Sequence, residues 1–166
     1  MDRQIRYIII AVLAVIWILF RCPDWLITGP FWLKATTYSF FHASIWHLLV
    51  NCIAIWGLFR PSISCKPCRD LLLAFIIAVL VFPISLKPIV GFSNILYACI
   101  GMRTPELTSG WWKRTETITF LVVTVALVFF PQFSALTHIV SFILGMLVAS
   151  VRRITNNLLK DARRYY

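Results

Sequence analysis

Carboxylates are scarce in this sequence. Among 166 residues only Asp2, Asp24, Asp70, Glu106, Glu116 and Asp161 are acidic, against sixteen Lys and Arg. None of the six lies within an apolar run, so no acid is at hand there to orient a catalytic base. Charge of either sign is sparse: 13% of the residues are charged and 60% are hydrophobic. A soluble domain averages about 25% charged and about 45–50% apolar. A chain of this length cannot hide so much apolar surface in one small core, which implies a polytopic membrane protein. Also missing are a Gly-rich phosphate loop, zinc-finger spacing and a basic stripe interleaved with aromatics. The net charge of +10 therefore does not point to nucleic acid. Its basic residues stand in short clusters between apolar runs, the pattern of cytoplasmic membrane loops. There is no repeat, no low-complexity tract and no composition break, so residues 1–166 read as a single membrane domain.

Six spans are expected, at about 5–20, 42–59, 71–85, 91–103, 117–131 and 133–152. The first follows Arg3 and Arg6 but lacks a small-x-small cleavage site at Arg21-Cys22-Pro23-Asp24, so it reads as a retained anchor. The connector to the second span is rich in aromatics, and Trp25, Phe31, Trp32 and Tyr38 suit the headgroup zone. The fourth span is too short to cross about 30 Å of hydrocarbon at about 1.5 Å per residue. It is tolerable only as a central helix whose ends meet a water-filled cavity. With both termini in the cytoplasm, thirteen of the sixteen Lys and Arg lie inside and only Arg21, Lys34 and Lys87 lie outside. That bias sets the orientation. The basic tail from Arg152 suits anionic lipid headgroups. Cys22 is the one outer cysteine, so no outer disulfide is available, and Cys65 and Cys68 lack the partners for a four-ligand zinc site. Neither a metal nor a cofactor is expected.

In this topology spans two, four and six all enter from outside. His42, His47, Asn51, Ser93 and His138 then converge on one outer layer, His138 roughly 8 Å down. On a helix, Ser93, Tyr97 and Gly101 share one face, and His138, Ser141, Gly145 and Ala149 form a second polar-to-small stripe. Small residues on both stripes allow the two helices to approach closely. A serine needs a base to become a nucleophile, and neutral imidazole is the usual one. With no acid available, the expected chemistry is a Ser93–His138 dyad, its histidine packed on Tyr97. His47 and Asn51, one turn apart, are candidate donors to a developing oxyanion, with the Ser93 amide. The alternative for each residue is an interhelical tie worth about 0.6 kcal/mol.

Three motifs carry a family resemblance. His42-Ala-Ser-Ile-Trp-His47-Leu-Leu-Val-Asn51 resembles the His/His/Asn pattern on the second span of rhomboid intramembrane serine proteases. Gly91-Phe-Ser93-Asn-Ile-Leu-Tyr97-Ala-Cys-Ile-Gly101 resembles their Gly-x-Ser-Gly motif with its following Tyr and Gly. His138-Ile-Val-Ser141-Phe-Ile-Leu-Gly145 resembles the His-x-x-Gly-x-x-x-Gly of their sixth span. The resemblance implies an all-α six-helix bundle with a short central fourth helix. It implies Ser93 as nucleophile, His138 as general base, and His47 and Asn51 at the oxyanion site. His42, Tyr97, Gly91, Gly101 and Gly145 would be structural supports. The implied substrate is the transmembrane segment of another membrane protein, unwound near its outer end and cut after a small residue, with entry beside span five. A minimal form without an amino-terminal domain resembles the bacterial members, which implies the cytoplasmic membrane. Asn94 stands where the family has a small residue, Ser141 where it has a glycine, and Leu33-Lys34 where it has Trp-Arg. Two rivals remain open: a rhomboid-like client-binding protein that does not cleave, and a small transport or assembly protein.

Overall fold

The computed structural model describes residues 2–21, 23–59, 67–85, 89–104 and 134–163. Among them the ordered elements are helical and no strand occurs. The expected fifth span, Glu106, Glu116, Cys22, Cys65 and Lys87 lie outside the described residues.

Helix α1 (Asp2–Phe20) ends at Arg21, whose φ of 48 is left-handed and whose N–H closes on the Trp17 carbonyl; Pro23 then bars continuation. The connector holds two short helices, α2 (Trp25–Thr28) and α3 (Phe31–Thr37), and a 3-10 turn at Tyr38–Phe40. Helix α4 (Ile45–Leu58) begins after the Ser44 cap, whose hydroxyl accepts from the His47 N–H. His42 thus sits in the bend before α4 rather than on it, a difference from the span that begins at 42. The cap causes the difference: a capping serine takes extended backbone, and Ser44 has φ −151 and ψ 162.

Helix α5 (Pro67–Val81) opens on proline, whose missing N–H is no loss at a helix start, and closes into a 3-10 turn over Phe82–Ile84 containing Pro83. Asp70 belongs to its first turn. Helix α6 (Ser93–Arg103) is about 17 Å long at 1.5 Å per residue. Every residue from Asn94 to Arg103 is buried, so it is enclosed by the other helices. Helix α7 (Ala135–Ala162) runs ten residues beyond the expected end at 152. Polar residues after Val151 mark where the chain leaves an apolar medium, but Arg, Leu and Lys are good helix formers and no Gly or Pro intervenes.

The outward faces are greasy: Ile18, Val50, Ile53, Leu80 and Leu147 are all more than half exposed. Tyr38, Ser39, His42, Asn51, Asn94, Thr137, His138 and Ser141 are buried within. Apolar outside and polar inside is the arrangement that lipid demands. By length and composition α7 alone, among the described residues, suffices to cross a bilayer; the segment Phe31–Phe40 and α4 form a pair bent by 69°.

Among the described residues the most extensive helix contact is α6 on α7. Gly101 and Gly145 make it possible. A Cβ on Gly101 would collide with the Phe142 carbonyl oxygen, and one on Gly145 with that of Ala98. The two backbones touch at both crossings. At the end of α6 remote from Ser93, charges tie the helices together. Arg103 is buried, donates to the Leu58 carbonyl and lies 4.9 Å over the Phe59 ring. Arg152 on α7 pairs with buried Asp70 on α5 at 2.8 Å, and the Arg6 guanidinium of α1 covers the Trp56 ring of α4 at 4.0 Å.

Candidate active site

Ser93 is the first residue of α6 and His138 lies in the first turn of α7. The Ser93 Oγ is 2.7 Å from the His138 Nε2. Tyr97, one turn after Ser93, stacks on the imidazole with ring centroids 4.6 Å apart and planes at 22°. If the serine hydroxyl donates, Nε2 is the bare nitrogen and the proton sits on Nδ1. That Nδ1 is buried without a hydrogen-bond partner among the described residues. The ring is therefore held by the Ser93 contact, the Tyr97 face and close helix packing. No ion pair joins it to a carboxylate among the described residues, and buried Asp70 is engaged with Arg152.

Gly91 shapes the turn before Ser93. Its φ is +116, which a side chain rarely adopts, and an added Cβ would stand 2.5 Å from the His47 Cε1 and 2.7 Å from its Nε2. The bare Gly91 Cα is what lets the His47 ring come up beside the serine turn. His47 is half-buried, and its ring meets that of His42 edge-on at 5.1 Å. His42 is fully buried in the bend.

A cavity of about 300 Å³ opens at this point. His47, Ser93, Asn94 and His138 line it with Ser44, Ser134 and Thr137, while Ala43, Ile89 and Val90 provide the apolar wall. Because Ser93 begins a helix, the first N–H groups of α6 have no intrahelical acceptor and lend that end partial positive charge. Negative charge developing near the Ser93 Oγ would be favoured there.

The expected residues thus fall into two groups. Ser93, His138, His47, Tyr97 and Gly91 come together around the cavity. Asn51 does not line it: the side chain is buried and its Nδ2 donates to the His47 carbonyl at 2.8 Å. Gly101 and Gly145 lie deeper, at the α6–α7 crossings. Ser141 is buried with no partner for its hydroxyl among the described residues. Asn94, the residue after the serine, stands in the cavity wall, and one residue enters that sequence reasoning assigned to the headgroup zone instead: Tyr38, whose Oη receives the Asn94 Nδ2 at 3.0 Å. Fifty-six positions separate them, and no local spacing rule links such a pair. Among the described residues no group of His, Cys, Asp and Glu is arranged to hold a metal ion.

A family model, the Rhomboid domain, matches residues 30–154 of this chain. No curated protein and no solved structure matches it.

Proposed function

As the chain belongs to the rhomboid family of integral membrane proteins, we propose that it is an intramembrane serine protease working through a Ser93–His138 dyad. The observation that carries this reading is the 2.7 Å contact of Oγ with Nε2 in the lining of a cavity and at the start of a buried helix. In the reaction, the Ser93 Oγ attacks the scissile carbonyl carbon while the His138 Nε2 takes the hydroxyl proton. The carbonyl oxygen becomes an oxyanion, met by the Ser93 N–H and the His47 side chain. Collapse of the intermediate expels the amine, which receives the proton from Nε2 and leaves an acyl-serine. Water, deprotonated by the same nitrogen, attacks the ester carbonyl, and collapse of that second intermediate releases the acid as Nε2 returns the proton to the Ser93 Oγ. Asn51 acts through His47, by bracing the carbonyl of that residue, and Tyr97 keeps the imidazole plane aligned.

The substrate in this reading is a transmembrane segment entering from the bilayer and locally unwound to reach the cavity. Six spans and two cytoplasmic termini accompany it, supported by thirteen of sixteen basic residues falling on one side. The site then opens to the outer face of a bacterial cytoplasmic membrane.

The test is cleavage of a fluorescent transmembrane substrate by purified protein in liposomes, beside Ser93→Ala and His138→Ala. Loss of cleavage in both is expected. Cleavage that survives in Ser93→Ala would overturn the reading. Binding without cleavage by the unaltered protein would favour a client-binding member of the family, a reading that Asn94 and Ser141 at family small-residue positions support.

A further inference from the structure

Tyr38 is bound on three sides. Its carbonyl accepts the Gly91 N–H at 3.0 Å, its Oη lies 3.0 Å from the Asn94 Nδ2, and the same Oη lies 3.0 Å from the Ala78 carbonyl. The donor roles follow from valence. The Ala78 oxygen can only accept, so the one phenolic proton goes there, and the phenol oxygen must accept from Asn94. That in turn fixes the Asn94 amide, whose nitrogen faces Tyr38.

Gly91 and Asn94 flank Ser93, two residues before it and one after. One connector residue, 1% exposed, thus grips both sides of the serine turn and anchors it to α5. The need for such a grip is visible at the same place. Phe92, the residue capping α6, offers no side-chain hydrogen bond, so the usual side-chain support for a helix start is absent. Asn94 also carries a cost: its Oδ1 is buried with no partner among the described residues, a penalty that alanine or glycine would avoid.

We propose that Tyr38 and Asn94 are positioning residues, whose amide-to-phenol bond holds the start of α6 so that the Ser93 Oγ stays within reach of the His138 Nε2. The proposal rests on Ser93 being the nucleophile. It assigns a purpose to the asparagine that departs from the family pattern. Neither residue touches the reacting atoms.

The experiment follows two rates on the full-length protein in detergent: Ser93 labelling by a fluorophosphonate, which needs no peptide, and cleavage of the transmembrane substrate. The variants are Tyr38→Phe, Asn94→Ala and the pair together. Each single change is expected to slow labelling about tenfold or more, the scale of a small misplacement of a reacting group. kcat should fall with KM unchanged. The double variant should be no worse than the slower single one, because both remove the same bond. A merely structural role predicts losses that track the melting temperature, and that result would overturn the proposal; losses that multiply in the double variant would show that the two residues do not act through one bond and would overturn it too. Unchanged labelling in both single variants would overturn it while leaving the dyad intact. Labelling of the unaltered protein without cleavage would sink the protease reading and leave the positioning role standing. No labelling at all would sink both. Should Tyr38→Phe fail to fold, the labelling rate of Asn94→Ala decides alone.

Discussion

Gly145→Ala puts the site geometry under the most direct strain. The new Cβ would land on the Ala98 carbonyl oxygen, with the Ala98 carbonyl carbon and the Met102 nitrogen each at 3.0 Å. All three are backbone atoms, which cannot swing aside as a side chain does. Ordinary contact begins at 3.4 Å, so α7 must back away from α6 by roughly 1 Å to restore it. The Ser93–His138 contact joins the same two helices, two turns along from residue 145. Carried over rigidly, that shift lengthens Oγ···Nε2 from 2.7 Å to about 3.7 Å, beyond hydrogen-bond reach. A reacting group displaced by about 1 Å costs on the order of 100-fold in rate. The overpacking itself costs about 1–3 kcal/mol, which a folded domain survives. Gly57→Ala is the internal control, because a Cβ there meets nothing within 4 Å; it should match the unaltered protein in rate and gain about 0.5–1 kcal/mol in stability. The assay is substrate cleavage in liposomes, read beside thermal unfolding of each variant. A Gly145→Ala protein that is folded and cleaves at the unaltered rate would refute the claim that this backbone contact sets the dyad separation. Equal loss in Gly57→Ala would refute it too, since the effect would not depend on the crossing.

Two further outcomes follow from the same geometry. Gly91→Ala forces a side chain onto a φ of +116 and against the His47 ring at 2.5 Å, so kcat should drop, and little further loss is expected on adding His47→Ala; independent, multiplying effects would show that Gly91 acts elsewhere. Asp70→Asn keeps the volume but leaves Arg152 without its 2.8 Å ion partner, which should lower stability by about 1–3 kcal/mol in thermal unfolding. The fluorophosphonate labelling rate at 25 °C should stay put, because Asp70 sits on the first turn of α5, at the charged end of the bundle remote from Ser93.

Helical class is legible in the sequence because long apolar runs punctuated by Pro, Gly and basic clusters leave the backbone no other way to satisfy itself in lipid. The short fourth run is legible as a buried central helix for the same reason: eleven residues cannot span a bilayer. Helix ends are less legible. The Ser44 cap that excludes His42 from α4 is one serine among apolar residues, with no Glu or Gln three positions on to complete a capping box. The end of α7 is hidden for the opposite reason, since charge after Val151 changes the solvent a helix prefers and not whether it is a helix.

The candidate site divides along a similar line. Ser93, His138 and Tyr97 are legible because their positions follow from helix periodicity on two close-packed stripes, and Gly101 and Gly145 mark where those stripes touch. Asn51 illustrates the limit of that reasoning. One turn from His47, it shares a face with it, yet a shared face does not say whether a short amide reaches the cavity or turns back to its own helix, and here it turns back to the His47 carbonyl. Tyr38 illustrates the other limit. An aromatic in a connector suits the headgroup zone, and nothing local distinguishes that use from burial against a helix start 56 residues away. What could have singled it out is the arithmetic of capping. Phe92 cannot cap α6, and Asn94 brings an amide that a buried position must satisfy. A helix start without its own cap, beside a polar side chain without a local partner, calls for a long-range acceptor, and a tyrosine is among the few connector residues able to act as one while donating elsewhere.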